Sequence, residues 1–321
     1  MSYEIYTIKP GEYERIAKIN HVIQINWDDD IDRIYLTFSF TTSTKLEVGT
    51  WIELYHKYDQ KTAFRGIITK TSQKDEFTYT YSGYDVGFYV EKNIATIQYK
   101  KETNIIDAIL QVCSDVSIPC GEFSSVNYTV KKLYKKQAVS SILKELLEIA
   151  FTKGQRRNIY FDCKNGKLNL YGYTENENLK GYVANIYSLK STNIIHDFNI
   201  TSSIEDMKNR IKIENSKLTK EYVTAPNDNI TKFGVLQETI EATEKDKNYQ
   251  ELANKKLDAL NRVKNTLSLT VLGDYNMKMG VIIPIKKDKI ELNNQYLIKT
   301  SNHSIAGTKE NVVINLEKYI G

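Results

Sequence analysis

The chain has 321 residues, of which 41% are hydrophobic and 26% charged, and 44 basic against 40 acidic side chains give a net charge of +4. This composition indicates a globular protein of two or three domains, and no run approaches the roughly 18 apolar residues that a membrane-spanning helix needs. Charges of both signs are interleaved, at the start of the chain as elsewhere, so the sequence predicts neither a signal peptide nor a broad basic face for nucleic acid.

The first part of the chain has the alternating pattern of half-buried antiparallel strands. In "IYLTFSF" one face carries Ile34, Leu36, Phe38 and Phe40, and the other Tyr35, Thr37 and Ser39. In "FTYTYSGY" Phe77, Tyr79 and Tyr81 alternate with Thr78, Thr80 and Ser82. The segments "WIELYHKY" and "FRGIITKTS" between them predict two further strands.

Helical spacing begins near residue 100. Thr103 is the predicted cap of a first helix, which Pro119 and Gly121 close. Its apolar stripe consists of Ile106, Ile109, Leu110 and Cys113. A second helix is predicted near 138–153 and ends at Gly154. Its stripe consists of Val139, Ile142, Leu143, Leu146 and Ala150.

A hairpin and a second strand-rich stretch follow. "NIYFDCKNGKLNLYGY" places Asn165 and Gly166 at a turn between two strands, which is a strong hairpin signal. After a strand at "NRIKIENS", the polar stretch 219–229 predicts a loop. A third helix is predicted near 247–264, with Tyr249, Leu252, Ala253, Leu257, Leu260 and Val263 on one face. Strands resume at "NTLSLTVLG" and continue to the C-terminus.

These patterns predict an α+β protein that is mainly antiparallel β. Two related tube-like β-barrel or sandwich domains flank a smaller α/β domain. The predicted ranges are 1–95 for the first tube-like β domain, 96–195 for the α/β middle domain, and 196–321 for the second tube-like β domain, which contains the helical insertion near 247–264.

The last 45 or so residues repeat the pattern of the first domain. "GTWIEL" from Gly49 matches "GVIIPI" from Gly280, and "FTYTYSGY" matches "VVINLEKY". Between these pairs, Lys70, Thr71 and Ser72 fall on Lys299, Thr300 and Ser301. Generic hairpin patterns could also produce such a match, so the letters alone leave both explanations open.

The stretch "INWDDDIDRIYLTFSF", residues 25–40, contains three consecutive aspartates. Asp28, Asp29 and Asp30 could form a metal site, supply a carboxylate pair for catalysis, or make only the turn that leads into a strand. The run lacks the ligand spacing and the glycine of a calcium-binding loop. The sequence therefore predicts a solvated turn, with Arg33 as a nearby partner for one carboxylate.

Other candidate chemistry is equally sparse. The three cysteines show no C-x-x-C spacing and the four histidines are scattered singly, so neither a disulfide framework nor a zinc cluster is predicted. Cys113 on a helix stripe and Cys163 in a strand are expected to be buried thiols. Glu145 and Glu148 lie opposite the apolar stripe of their helix, and the tyrosines alternate with Thr and Ser, which favours packing. No catalytic, cofactor-binding or metal-binding residue is predicted, and no enzyme.

Four stretches in order resemble the baseplate hub proteins of contractile phage tails and phage-tail-like particles, in particular the XkdQ-like tail proteins. They are "INWDDDIDRIYLTFSF", "FRGIITKTS" followed by "YSGYDVGFYVEKN", "SIEDMKNRIKIEN", and "ANKKLDALNRVKNTLSLTVLGDYNMKMGVIIPI". In that family Tyr84 and Asp85 match the motif that closes the first β domain. Gly273, Asp274 and Gly280 match the turn before the strands of the second. These matches are architectural and imply no catalytic residue.

The resemblance implies a structural hub, made in the bacterial cytoplasm and incorporated into the baseplate of a virion or tail-like particle. A homotrimer would form a pseudo-six-fold ring between the hexameric tail tube and the trimeric central spike. The expected partners are the tail tube protein, the spike protein and baseplate wedge proteins, with no cofactor and with DNA at most passing through the lumen. The alternatives are a tail-associated cell-wall hydrolase and a ligand-binding β protein whose tyrosines form the site. A hub of this kind is expected to tolerate asparagine at Asp28, Asp29 and Asp30, but not Phe38→Asp.

Overall fold

The computed structural model describes residues 2–152, 159–172, 194–214, 222–224, 226–241, 249–272, 277–287, 292–307 and 309–319. The chain forms two compact units. The larger consists of Met1–Phe151, Gln155–Asn199 and Leu267–Gly321, and the smaller of Thr152–Gly154 and Ile200–Thr266. Strands predominate over helices and most of the observed strand pairs are antiparallel, so the predicted α+β class is confirmed. The limits of the three predicted domains stay a prediction.

The first part of the larger unit contains seven strands. They are β1 (Tyr3–Ile8), β2 (Arg15–Lys18), β3 (Val22–Asp30), β4 (Thr37–Thr42), β5 (Trp51–His56), β6 (Lys61–Asp75) and β7 (Thr78–Tyr84). The predicted apolar face of β4 is confirmed, because Phe38 and Phe40 are buried together with Trp27 and Tyr81. The prediction for Phe77 is wrong. It lies in the turn before β7 and is 69% exposed.

The middle of the larger unit combines three helices with short strands. Its elements are α1 (Gly87–Lys92), β8 (Ile94–Gln98), β9 (Thr103–Asn104), α2 (Ile105–Asp115), β10 (Cys120–Phe123), β11 (Thr129–Val130), β12 (Leu133–Ala138), α3 (Val139–Thr152), β13 (Ile159–Asp162) and β14 (Leu168–Gly172). Both predicted helices are present as α2 and α3. The cap of α2 is Asn104 and not Thr103, because the Asn104 side chain accepts a hydrogen bond from the Ile106 amide. Leu110 is 38% exposed, so it does not belong to the buried stripe. The predicted stop at Gly154 lies outside the described residues.

The predicted hairpin is confirmed, with β13 and β14 paired antiparallel and Gly166 at φ +86° in the connection. The later elements are β15 (Ile194–Ser203), β16 (Arg210–Glu214), β17 (Tyr222–Val223), α4 (Asp228–Phe233), β18 (Gln237–Glu241), α5 (Tyr249–Leu260), β19 (Lys264–Leu272), β20 (Ile282–Lys287), β21 (Leu292–Ala306) and β22 (Lys309–Lys318). The loop predicted over 219–229 is only partly correct. It contains β17 and the start of α4, which Asn227 caps through the Ile230 amide.

The predicted third helix is α5, and it stops earlier than expected. Val263 lies beyond the end of α5 and is 36% exposed. In the smaller unit α5 packs against the three-stranded sheet β17-β16-β18, and Ala253 meets Ile211 and Ile213 in its core. Among the described residues, no helix of either unit is long and apolar enough to cross a membrane.

A twelve-stranded sheet organises the strands of both repeats. Its order is β15-β19-β22-β21-β3-β4-β7-β6-β5-β1-β2, and β20 pairs with β21 beside this path. The run β3-β4-β7-β6-β5 therefore has a counterpart in β15-β19-β22-β21-β20. The two halves meet where β21 pairs with β3.

Candidate assembly site at the junction of the two sheet halves

The two halves share one pattern of backbone hydrogen bonds around a glycine turn. Gly49 and Gly280 both adopt positive φ, at +92° and +80°, a conformation that costs a side-chain-bearing residue about 1–2 kcal/mol. The Gly49 amide donates to the Ile68 carbonyl oxygen at 2.8 Å, and the Gly280 amide to that of Ile298 at 2.9 Å. The sequence match between these glycines therefore corresponds to a shared local structure.

A shared bulge fixes which residues of β6 and β21 are equivalent. The pairing of β6 with β7 shifts between Ile68 and Lys70, and the pairing of β21 with β22 shifts between Ile298 and Thr300. Lys70 therefore corresponds to Thr300, one residue away from the predicted match to Lys299. A shift of one residue changes the face to which every following side chain points. Thr71 consequently corresponds to Ser301.

The junction itself is a seven-residue antiparallel pairing. Residues 300–306 of β21 face residues 24–30 of β3, from Thr300 opposite Asp30 to Ala306 opposite Gln24. The earlier residues of β21, 292–297, pair with β20 along the same edge. The long strand β21 therefore pairs along one edge with two strands in succession, first with its hairpin partner β20 and then with β3 of the other half.

Asp29 joins three separate stretches of the chain at this junction. Its side chain is 1% exposed. One carboxylate oxygen contacts the Lys164 ammonium, and the other accepts hydrogen bonds from the Ser301 hydroxyl at 2.6 Å and from the Met279 amide at 3.1 Å. The prediction of a solvated turn is wrong, because the three aspartates belong to β3 and the turn begins after Asp30.

The pair of Asp29 and Lys164 is charged although it is buried. Burial alone would raise the pKa of Asp29, but the Lys164 charge and the hydrogen bonds from Lys164 and Ser301 hold it below its ordinary value. Burial would likewise lower the pKa of Lys164, and the charges of Asp29 and Asp162 hold it above. Such a pair is costly to break, because removing one partner leaves an uncompensated charge away from water.

Asp85 shows the opposite electrostatics close by. It is also 1% exposed, and it accepts a hydrogen bond from the Gly87 amide at 2.9 Å at the start of α1. Burial, reinforced by the charge of Asp162, raises its pKa well above the ordinary value. Tyr84 and Asp85 do stand at the end of the first β region, as the resemblance implies. Gly273 and Asp274 lie outside the described residues.

His303 and Trp27 fill the rest of the junction. Their rings stack with centroids 4.2 Å apart and an angle of 9° between planes. His303 Nε2 lies 2.9 Å from the Met277 carbonyl oxygen, so this nitrogen carries the proton. Nδ1 is buried without a hydrogen-bond partner among the described residues. Burial lowers the pKa of His303 to about 4, so the ring is neutral near pH 7.

The two flanking aspartates have partners of their own. Asp28 contacts the Arg33 guanidinium and the Thr37 hydroxyl, which confirms the predicted role of Arg33. Asp30 lies 3.4 Å from Arg33 Nε and accepts a hydrogen bond from the Asp32 amide at 2.9 Å. Across the part of the chain that the structure describes, no cluster of three or more His, Cys, Asp or Glu could hold a metal ion.

A groove of about 460 Å³ lies on one face of the sheet at this junction. Its lining includes the hydroxyl and amide side chains of Asn26, Thr37, Ser39, Ser82 and Asn302. Tyr84 is the one tyrosine in this lining, and the other two aromatic residues, Trp27 and Phe38, are each only 4% exposed. Tyr81, by contrast, is fully buried and accepts a hydrogen bond from the Leu46 amide. The groove therefore does not support a tyrosine-lined ligand site.

The other predicted residues lie where packing explains them. Cys113 and Cys163 are buried and, like the partly exposed Cys120, not in a disulfide. Cys163 follows β13 instead of lying within it. Glu145 forms an ion pair with Lys132 at the surface of α3.

Sequence reasoning missed three members of the junction. Lys164, Ser301 and His303 stand far apart in the chain, and none belongs to a motif that carries a known chemistry. What they have in common is their place within or just after an alternating strand pattern. Such a pattern indicates which residues are buried, but it does not show which residue a buried polar side chain contacts. The pairing of β21 with β3 supplies those partners.

The fold and family are confirmed by comparison with known proteins. The model of the family described as YQBQ-like matches residues 25–317. A tail protein from Neisseria meningitidis superposes with a TM-score of 0.74 at 13% identity, over 99% of this chain and 97% of that chain. The 43 kDa tail protein of prophage MuSo2 from Shewanella oneidensis gives 0.70 at 13%, over 99% and 98%. Prophage tail protein gp18 from Listeria monocytogenes gives 0.59 at 7%, over 100% and 96%.

No curated protein matches this chain by sequence. At these identities the structural likeness carries the fold, and the family match carries the membership. The resemblance to tail hub proteins is thereby confirmed, and the chain belongs to the YQBQ-like family.

Proposed function

We propose that this chain is the structural hub of the baseplate of a contractile tail or tail-like particle. The likeness to phage tail proteins supports a structural role in a tail. The observation that carries the more specific proposal is the repeat within the sheet. Two halves with the same strand order and the same glycine turn are joined in one sheet by β3 and β21.

A protein with two such halves suits a change of symmetry. A cyclic trimer of this chain presents six similar β domains in one ring. Such a ring fits a six-fold tail tube on one side and a three-fold spike on the other. The proposed partners are two further copies of the chain, the tail tube protein, the central spike protein and the wedge proteins. The tube-like domains would correspond to residues 1–95 and 196–321, on either side of the middle domain.

The chemistry of the junction agrees with a structural role. Asp29 and Lys164 satisfy one another, and His303 is neutral and stacked against Trp27. These groups hold the halves together, and none is aimed at a substrate. We therefore propose that the protein is not an enzyme and uses no cofactor.

The groove is the proposed lumen face of the ring. Its hydroxyl and amide side chains are uncharged, Asp28 is paired with Arg33, and Lys70 adds one positive charge. One positive charge per copy attracts a polyanion only weakly. DNA or the contents of the tube could therefore pass without binding.

The test is assembly with the proteins encoded beside this one. The chain is co-expressed with the tube and spike proteins, pulled down through the spike, and measured by native mass spectrometry and negative-stain microscopy. A ring of three copies bound to both partners is the expected result. Recovery of a single copy of the chain per spike trimer, or cell-wall hydrolysis by the purified chain in a zymogram, would contradict the proposed hub function.

A further inference from the structure

The equivalent strands β6 and β21 differ in what covers one of their edges. In β21 the side chains of Ser301, His303 and Ile305 are almost completely buried, at 0%, 0% and 2% exposure. Ser301 and His303 correspond to Thr71 and Gln73 of β6, and both of these are exposed, as are the other residues from Lys70 to Asp75. The same stretch of the same fold is thus covered in one half and open in the other.

The cover of β21 is β3. Residues 300–306 pair with β22 on one side and with β3 on the other. Residues 70–75 of β6 pair with β7, with the same register up to Gln73 and a second bulge between Gln73 and Asp75. On their other side, where β3 would stand, no strand pairs with them among the described residues.

The strand that corresponds to β3 in the second half is β15. It stands at the end of the sheet, beside β19, as β3 stands beside β4. Inside one chain β3 is already used to cover β21. A second copy of the chain, however, offers a β15 for the open edge of β6, and repetition of that contact around an axis closes a ring.

We propose that residues 70–75 of β6 form the docking edge for β15 of a second copy of this chain, paired antiparallel as β21 is paired with β3. The inference rests on the proposed hub and names the strands through which its copies meet. Lys70 and Lys74 stand on this edge, and exposed lysines hinder indiscriminate strand pairing. The edge is therefore protected in the free chain and becomes covered in the ring.

The internal junction also predicts the register between copies. "INWDDDI" from Ile25 and "FNITSSI" from Phe198 align Asp28 with Thr201. Asp28 faces Asn302 across the internal junction, and Asn302 corresponds to Ser72 of β6, before the second bulge of that strand. Thr201 of one copy should therefore face Ser72 of the next.

Cross-linking between introduced cysteines tests this contact. The variant S72C/T201C is prepared with Cys120→Ser, which removes the one partly exposed natural thiol, and treated with a short bis-maleimide. Directly opposed residues of paired strands lie about 5 Å apart at Cβ, within reach of such a reagent. The expected result is a denaturing-gel ladder that stops at three copies. S72C mixed with T201C should give covalent pairs alone.

Two further variants make the result decisive. N26C/S304C probes the internal junction and should cross-link within one chain. K18C/T201C replaces an exposed lysine of β2, away from the proposed edge, and should not link copies. The experiment is performed on the purified chain if its mass is that of a trimer, and otherwise on the chain bound to its spike.

The outcomes separate this inference from the proposed function. A trimer in which N26C/S304C reacts but S72C/T201C does not would overturn the edge contact and leave the hub intact. Absence of any trimer, free or on the spike, would overturn both.

Discussion

The strands β6 and β21 have the same backbone and different surroundings. Each is the second strand of a hairpin whose first strand follows a positive-φ glycine, and each has a bulge at the same place. Yet residues 300–306 of β21 are covered by β3, whereas residues 70–75 of β6 are open. The hydrogen-bond pattern of a strand therefore does not determine its burial. What determines burial is which edge the rest of the chain can reach.

The side chains of each strand suit these surroundings. On the covered strand Ser301 donates to the buried carboxylate of Asp29, and His303 stacks on Trp27. On the open strand Thr71 and Gln73 stand at the same positions and face solvent. A buried polar group must find a partner, and the covered strand meets that demand within the chain.

The largest effect is expected from a charge in the core of the first half. Phe38 is 4% exposed and its ring lies 5.3 Å from that of Phe64. Phe38→Asp should lower the free energy of unfolding by more than about 5 kcal/mol, because it buries an unpaired carboxylate. Since β3 and β21 share the junction, the second half should unfold too. Hydrogen exchange at β22 measures this.

Ser39→Asp is the matched control, on the opposite and polar face of β4. It should change the stability by no more than about 1 kcal/mol. Protected amides in β22 of Phe38→Asp would show that the halves fold independently, and would contradict a single cooperative sheet.

Asp29→Asn should have the next largest effect, about 3–5 kcal/mol of unfolding free energy. The substitution removes the close countercharge of the buried Lys164 ammonium and leaves it only the longer contact with Asp162, at 4.0 Å. This reverses the expectation from the sequence, in which all three aspartates tolerate asparagine. Urea unfolding at pH 7 provides the measurement.

Asp30→Asn serves as the control, because Asp30 is only partly buried and its pairing with Arg33 is loose. The double variant D29N/K164M should be more stable than Asp29→Asn alone, since it removes the stranded charge. Equal stability of Asp29→Asn and Asp30→Asn would contradict the buried pair.

The strands themselves can be predicted from the sequence, but the contacts at the junction of β3 and β21 cannot. Alternation in "IYLTFSF" correctly buries Phe38 and Phe40, because a half-buried strand imposes a period of two on its own residues. The repeat was also visible, but matching the two Lys-Thr-Ser triplets placed its alignment one residue away from the one that the shared bulge defines. The burial of Asp29 depends on Lys164 and Ser301, which are 135 and 272 residues away. No local pattern records contacts at such separations.

His303 should make the stability of the covered half depend on pH. Its pKa is lowered from 6.5 to about 4 mainly by burial, with Asp29 and Lys164 as the charged groups that face it. Below pH 6.5 the unfolded chain takes up a proton that the folded chain takes up only near pH 4. The stabilisation is therefore complete above pH 6.5 and is lost toward pH 4, by on the order of 3 kcal/mol.

His303→Gln places in β21 the residue type that β6 carries at the same position, Gln73, and should remove this dependence. Urea unfolding of both proteins at pH 7.0, 5.5 and 4.5 gives the difference between their free energies of unfolding. The difference is the relevant quantity, because the raised pKa of Asp85 gives the parent protein a slope of opposite sign. A difference that stays constant with pH would show that His303 does not titrate in this window.

The two glycine turns provide the smallest and most direct comparison. Gly49 and Gly280 have similar positive φ, so alanine at either should cost about 1–2 kcal/mol of stability. A Cβ at Gly49 would meet nothing within 4 Å, whereas one at Gly280 would lie 2.4 Å from a ring carbon of Tyr160. Tyr160 is 4% exposed and packed against Met279, so it cannot withdraw freely.

The free energy of unfolding should therefore be lower for Gly280→Ala than for Gly49→Ala by about 1–3 kcal/mol, the usual cost of overpacking. Thermal and urea unfolding of the two variants give the comparison. In a Tyr160→Leu background, which shortens the side chain, the difference between the two alanine variants should shrink. If both alanine substitutions lower the free energy of unfolding equally in the parent protein, Tyr160 of the hairpin β13-β14 does not restrict the turn at Gly280. The equivalence of the two halves would then extend to the surroundings of their turns as well as to their hydrogen bonds.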